Sequence, residues 1–162
     1  MGAPSIRVLI IEDNKPWLRF ISSELQKLPN LQAIGEVFDG EEAVRQAKEL
    51  QPDLILLDIG LPTINGIEAA RRIRGVSPAS KILFVSENRS PEIAEQALNT
   101  GAGGYVLKSD AGSELVPAIK AVLQGKRFVS ASLASYFLVV ALVATTQTEL
   151  LASMVALISG IC

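Results

Sequence analysis

Five short runs of β-branched and aliphatic residues alternate with five segments of helical periodicity in this chain. The runs lie at Ile6–Ile11, Leu31–Val37, Leu54–Leu57, Lys81–Val85 and Gly104–Leu107. Between and after them, apolar residues recur every three or four positions, as at Leu18, Ile21 and Leu25. This alternation predicts an α/β domain in which a doubly wound, five-stranded parallel sheet carries helices on both faces.

Polar side chains follow four of these runs. Glu12 and Asp13 follow the first run, Asp58 the third, Ser86 the fourth and Lys108 the fifth. Because ligands of such sheets bind at the carboxyl ends of the strands, we expect these side chains to meet at one edge. Crowded carboxylates repel one another, and a hard cation such as Mg²⁺ relieves that repulsion. A metal, a carboxylate nucleophile and an ammonium group are what phosphoryl transfer onto Asp58 requires.

Taken one at a time, these residues have an ordinary interpretation as solvated loop residues, and only their joint occurrence favours a site. The chain has no histidine, which excludes a Ser-His-Asp triad and a histidine metal site built within it. Cys162 is its only cysteine, so neither an internal disulfide nor a cysteine-built zinc site is available. Lys and Arg number 15 against 17 Asp and Glu, a balance untypical of a basic nucleic-acid binder.

Four segments resemble the receiver domain of two-component response regulators, over roughly residues 6–125. They read VLIIEDN (Val8–Asn14), DLILLDIGLPTINGIEAARRIR (Asp53–Arg74), ILFVSEN (Ile82–Asn88) and AGGYVLKS (Ala102–Ser109). The resemblance implies a flavodoxin-like (βα)5 fold with strand order 2-1-3-4-5. The Lys108-Ser109 pair and the segment GKRFVSASLA (Gly125–Ala134) are similar to the subfamily that carries a C-terminal helix-turn-helix DNA-binding domain.

The resemblance also implies a chemical role for the acidic residues. Asp58 would accept a phosphoryl group from a phosphohistidine of a sensor histidine kinase or a phosphotransfer protein. Glu12, Asp13 and Asp58, with the backbone carbonyl of Gly60, would hold Mg²⁺ or Mn²⁺. Such a domain is no enzyme in the usual sense, since it catalyses only its own phosphorylation and dephosphorylation.

By the same resemblance, Lys108 and Ser86 would bind phosphoryl oxygens, and Ser86 with Tyr105 would form a conformational switch. Tyr105 has a second interpretation, as a ring simply packed on the sheet edge. Two positions depart from common family usage. Glu87 follows the switch hydroxyl where a small residue is frequent, and Ser109 follows the lysine where many receivers have a cis-proline. Neither departure removes a reacting group.

The composition changes abruptly after Arg127. Residues 128–162 contain one charged residue, Glu149, and all 15 Lys and Arg precede them. DNA-binding modules neutralise phosphates with basic residues, so we expect no direct DNA binding from this chain. We therefore divide the sequence into a receiver domain, 1–125, and an apolar, helical tail, 126–162.

Three explanations of the tail stay open. The first is a helix or helical hairpin, Ala131–Ala144 followed by Glu149–Ile158, that packs on the receiver or on a second copy. The second is a membrane span of roughly 20 residues over 128–146, which its Ser and Thr content weakens. The third is a truncated or frame-altered remnant of an output domain. We favour packing or self-association over a membrane span.

The leading hypothesis is a phosphorelay switch that changes protein–protein interactions, including a homodimer through the face formed by residues 90–123. A constitutive, phosphorylation-independent binding or dimerisation module and a remnant of a DNA-binding regulator are alternatives. A Mg²⁺-dependent phosphatase is disfavoured, because Gly60 lies where that class needs a second aspartate. We expect a cytoplasmic protein, since the apolar run Ile6–Ile11 ends in Glu12-Asp13 rather than at a cleavage site.

Overall fold

The computed structural model describes residues 4–160 of the chain. Strands and helices alternate through it, as the sequence predicts. The elements are β1 (Ile6–Ile11), α1 (Lys15–Gln26), β2 (Leu31–Val37), α2 (Gly40–Leu50), β3 (Leu54–Leu57), α3 (Gly66–Val76), β4 (Lys81–Ser86), α4 (Pro91–Leu98), β5 (Gly104–Leu107), α5 (Ala111–Leu123), β6 (Phe128–Val129) and α6 (Ala131–Ser159). A single 3-10 turn, Lys108–Asp110, joins β5 to α5.

All strands run parallel in one sheet of order β2-β1-β3-β4-β5-β6. The predicted order 2-1-3-4-5 is confirmed, and a sixth strand is added that the sequence did not reveal. β6 has only two residues, too few for periodicity to show, and it pairs with Gly104 and Tyr105 of β5. The chain accordingly divides into compact units at Ser130 and Ala131 rather than at the predicted residue 125.

The four inner strands form the centre of the core. β3 is fully buried along its length, as are the last four residues of β1, and this is the burial expected of strands covered on both faces. Side chains of α1 and α5 pack together with one face of the sheet. They include Leu18, Ile21, Leu25, Leu115, Ile119 and Val122. On the other side, α2 and α3 bury small residues, among them Ala43, Ala47, Ala69 and Ala70.

From Ala131 to Ser159 the second unit is one continuous helix, α6, so the alternative of a helical hairpin is wrong. The residues between the two predicted segments of the hairpin are helical as well. Thr145, Thr146 and Thr148 each donate their hydroxyl to the carbonyl four residues earlier, at 2.9 Å. By length and composition α6 could cross a membrane, and the residues of its most apolar stretch are exposed.

Candidate functional site

Three carboxylates meet at the carboxyl edge of the sheet. β1 and β3 are parallel neighbours, so the residues that follow them lie side by side, and the amide of Asp58 donates to the carbonyl of Ile11 at 3.0 Å. One carboxylate oxygen each of Glu12, Asp13 and Asp58 lies within 4.8 Å of the others. Glu12 and Asp58 are buried, whereas Asp13 is exposed. The structure thus brings together the three acids that the sequence analysis singled out.

Lys108 reaches this group from the turn after β5. Its Nζ donates to Glu12 Oε1 and to Asp58 Oδ2, at 3.1 Å each, and lies 2.9 Å from Glu12 Oε2. Only 5% of the residue is exposed. Since ion pairs withdrawn from water are screened little, this lysine holds both carboxylates in one place.

Burial controls the charge of Glu12. It raises the pKa of Glu12 from 4.5 to about 7, and the hydrogen bond from Lys108 opposes that shift without cancelling it. The charge of nearby Asp58 raises it further. Burial by itself lowers the pKa of Lys108, but the hydrogen bond to Glu12 and the charge of Asp58 outweigh it, and the net shift is upward. Without a metal, the site therefore holds Glu12 close to its titration point at neutral pH.

The donor set fits a hard divalent cation. Glu12 Oε2 is buried and accepts no hydrogen bond, although the Lys108 ammonium lies close to it. This oxygen is ion-paired with the ammonium but keeps acceptor capacity free, since each carboxylate oxygen offers two lone pairs. Every candidate ligand is an oxygen, which is the preference of Mg²⁺. Gly60, whose carbonyl was predicted to take part, lines the same cavity of about 540 Å³ as the three acids.

The cavity also receives residues from the end of β4. Ser86 Oγ accepts a hydrogen bond from the amide of Asn88 at 3.1 Å, and both residues line the cavity with exposed Glu87. The end of β4 and the residue after it thus add a hydroxyl and a carboxylate to the lining of this cavity.

Tyr105 is fully buried. Its hydroxyl donates to the carbonyl of Asn88 at 2.7 Å, and its ring lies 6.2 Å from that of Phe84. Burial raises the pKa of Tyr105, and a hydrogen bond with Ser86 acts in the opposite direction. The phenol is therefore tied to the β4–α4 loop, beside the hydroxyl predicted to be its switch partner.

Two contributors escaped the sequence analysis. Trp17 of α1 lies with its ring centroid 5.2 Å from Lys108 Nζ. The carbonyl of Asn88 holds Tyr105, and no side-chain pattern can reveal a backbone acceptor. Trp17 had a weak signal, because it is the chain's only tryptophan and follows the acidic strand end by one helical turn.

Known proteins resemble this chain over most of its length. The family model of the response regulator receiver domain matches residues 8–120. The response regulator GacA of Pseudomonas viridiflava is 34% identical over 129 residues, which cover 80% of this chain and 60% of GacA. The transcriptional regulatory protein DegU of Brevibacillus brevis is 33% identical over 124 residues, covering 76% and 52%. The chain thus spans little more than half the length of these curated relatives.

Solved structures share the fold. A two-component response regulator of the LuxR family from Aurantimonas sp. SI85-9A1 superposes with a TM-score of 0.77 at 34% identity, covering 81% of this chain and 94% of that one. The signal receiver domain of the putative response regulator NarL from Mycobacterium tuberculosis gives 0.72 at 28% identity, covering 76% and 100%. The resemblance found in the sequence is confirmed, and the chain belongs to the receiver domain family of two-component response regulators.

Proposed function

We propose that this chain is a phosphorelay switch in which Asp58 accepts a phosphoryl group in the presence of Mg²⁺. The observation that carries the proposal is the buried Lys108 ammonium, which lies between Asp58 and Glu12 at the wall of an open cavity. The donor would be a phosphohistidine on a sensor histidine kinase or a phosphotransfer protein, because this chain supplies no histidine of its own.

Each residue of the site has a separate role in the proposed transfer of the phosphoryl group. An Asp58 oxygen forms the new bond to phosphorus while the bond from phosphorus to the imidazole nitrogen breaks, and the imidazole leaves. The amide of Ile59 donates to Asp58 Oδ1 at 2.7 Å and fixes the orientation of the carboxylate. Lys108 stands ready to neutralise charge on the transferring oxygens. When bound by Glu12, Asp13, Asp58 and the Gly60 carbonyl, Mg²⁺ would add positive charge at the same oxygens.

The switch would begin at Ser86. Its hydroxyl lies beside the buried Tyr105 and lines the cavity, so a phosphoryl group on Asp58 offers it a new acceptor. Movement of Ser86 toward that acceptor would change the contacts of Tyr105 and of the loop that leads into α4. The output would then be altered protein binding at the surface of α4, β5 and α5, including a homodimer through that face.

An aspartate-dependent phosphatase is the alternative from another class. Gly60 lies two residues after Asp58, and a Cβ built there would meet nothing within 4 Å. Glycine has no side chain that could act as acid or base in hydrolysis of the phosphorylated aspartate, whereas the phosphatase class carries an aspartate there. We therefore propose a switch rather than an enzyme with a separate substrate.

For α6 we propose association with a second copy of the chain. Its residues from Leu138 onward are exposed, although many of them are large and apolar. Exposed apolar surface of that extent favours association. Glu149 and the neighbouring Thr145–Thr148 segment lie within the helix rather than at its end. A charge at the centre of a membrane span costs about 2.5–3.5 kcal/mol, which disfavours a span that includes Glu149 at its centre. A span over 128–146 would end before Glu149 but would still bury Ser and Thr side chains. α6 carries no basic residue, so we propose no direct DNA binding by it.

Intact-mass measurement after incubation with acetyl phosphate tests the proposed function. We expect the wild-type chain to gain one phosphoryl group with Mg²⁺ and little or none after chelation of the metal. Asp58→Asn should gain none. Equal labelling of wild type and Asp58→Asn would refute the assignment, and absence of labelling in the wild type would favour the constitutive binding module.

A further inference from the structure

The ammonium group of Lys108 lies over the indole ring of Trp17, in addition to its contacts with two carboxylates. Lys108 Nζ lies 5.2 Å from the ring centroid, inside the range of roughly 6 Å over which aromatic faces attract cations. The same nitrogen donates to Glu12 and Asp58. Only 4% of the lysine side chain is exposed. Two carboxylates and one aromatic ring therefore restrict the position of the Lys108 ammonium.

The ring itself is anchored. The amide of Trp17 donates to the side chain of Asn14, the residue that caps α1, at 3.1 Å. The indole meets the ring of Phe20 edge to face, with centroids 5.3 Å apart and planes at 87°. Trp17 and Phe20 are both half-buried and pack against the core under α1. The hydrogen bond to the helix cap and the packing against Phe20 and the core therefore restrict the position of the indole ring.

We propose that Trp17 is a positioning residue that holds the Lys108 ammonium where the phosphoryl oxygens arrive. This role rests on the proposed phosphorylation of Asp58. A free lysine side chain samples many rotamers, and restricting it in advance removes an entropic cost from the transfer step. The ring face also attracts the cation, which an aliphatic side chain of similar size would not do. Neither the predicted site residues nor the lining of the cavity includes Trp17.

The contact can be tested without any phosphoryl donor. An aromatic ring shifts the NMR signals of protons above its face upfield, so the ε-methylene protons of Lys108 should resonate upfield in the wild type. The shift should persist in Trp17→Phe and vanish in Trp17→Leu. Identical Lys108 signals in the wild type and in Trp17→Leu would overturn the proposal.

The function of the contact is tested by the rate of phosphorylation by acetyl phosphate at saturating Mg²⁺. We expect Trp17→Leu to be slower by about 3- to 30-fold, which corresponds to the range of a partly desolvated cation–π contact. Trp17→Phe should recover most of the rate, and Phe38→Leu, which changes an exposed aromatic residue, should match the wild type.

Thermal melting of each variant separates lost positioning from lost folding, since a rate that falls without a change in Tm reports on the site. A Trp17→Leu rate equal to that of a phosphorylatable wild type would refute the positioning role alone. A wild type that takes up no phosphoryl group would refute the proposed function instead, and the Lys108 signals would still decide whether the ring contacts the lysine.

Discussion

At the scale of single residues, Glu12 connects the site to pH. Burial raises its pKa from 4.5 to about 7, so below that pH the carboxyl is protonated in the folded chain. A metal ligand must be ionised, and Mg²⁺ has to displace this proton in acid. We expect the Mg²⁺ affinity to rise about tenfold per pH unit up to about pH 7 and to level off above it. Calorimetric titration with Mg²⁺ across this range measures the slope.

In the metal-free chain, the free energy of unfolding changes with pH in the direction opposite to the Mg²⁺ affinity. Between pH 4.5 and about 7 the folded chain binds a proton at Glu12 that the unfolded chain has lost, so stability falls as pH rises through that window. Glu12→Gln removes the titrating group and should flatten the pH dependence of Mg²⁺ binding, at the cost of weaker binding. A wild-type affinity that does not vary with pH would contradict the raised pKa.

Gly66, the first residue of α3, lets the helix approach the backbone of Asp58. A Cβ at this position would clash with the backbone carbonyl oxygen of Asp58. Because backbone atoms cannot move aside, we expect Gly66→Ala to lower the free energy of unfolding by roughly 1–3 kcal/mol or more and to displace Asp58. Chemical denaturation measures the first effect and phosphorylation rates the second.

Gly75 is the matched control for Gly66 in the same helix. A Cβ there would meet nothing within 4 Å. The substitution Gly75→Ala should leave stability unchanged or raise it by up to about 1 kcal/mol, since alanine favours helix. Equal losses in the two variants would show that close approach to Asp58 is not what requires Gly66.

At the scale of elements, β6 pairs with β5, the strand that carries Tyr105, at the end of the first unit. Ser130, fully buried, follows β6, and its amide donates to the carbonyl of Tyr105 at 2.9 Å. Its hydroxyl accepts from the amide of Leu107 at 2.8 Å and donates to Glu114 at 2.5 Å. Leu107 immediately precedes Lys108, so this serine supports the backbone of the residue before the buried lysine.

We expect Ser130→Ala to destabilise the chain by roughly 1–3 kcal/mol, because it leaves the buried amide of Leu107 without an acceptor. Hydrogen exchange at that amide should accelerate. Ser113→Ala, which changes an exposed serine of α5, should alter stability by less than about 0.5 kcal/mol. Unchanged exchange at Leu107 in Ser130→Ala would show that the hydroxyl does not support β5.

The secondary-structure elements also show which parts of the fold could be predicted from the sequence. Strands β1 to β5 were predictable because their apolar runs are continuous and end in polar residues at one sheet edge. The meeting of Asp13, Asp58 and Lys108 followed from parallel pairing alone. By contrast, β6 has only two residues, and its pairing with β5 is a tertiary contact that periodicity does not reveal. The contact of Trp17 with Lys108 likewise depends on how α1 packs on the sheet.

At the scale of the whole molecule, α6 should determine the oligomeric state. If it associates with a second copy, the full chain should exceed monomer mass in light scattering, and a chain ending at Ser130 should be monomeric with the same Tm. The cut belongs after Ser130, since ending at residue 125 would remove β6. If both chains are monomeric in light scattering, self-association through α6 is contradicted. If the full chain floats with lipid vesicles and the shortened chain does not, α6 binds a bilayer rather than a second copy.

The central claim is that side chains distant in the sequence form one phosphoryl-accepting site around Asp58. Hydride reduction of the acyl phosphate followed by peptide mass analysis locates the modified residue directly. We predict the reduced product at Asp58 alone, formed only when both Mg²⁺ and a phosphodonor are supplied. A product at Glu12, at Asp13 or at an acid outside this cluster would contradict the account.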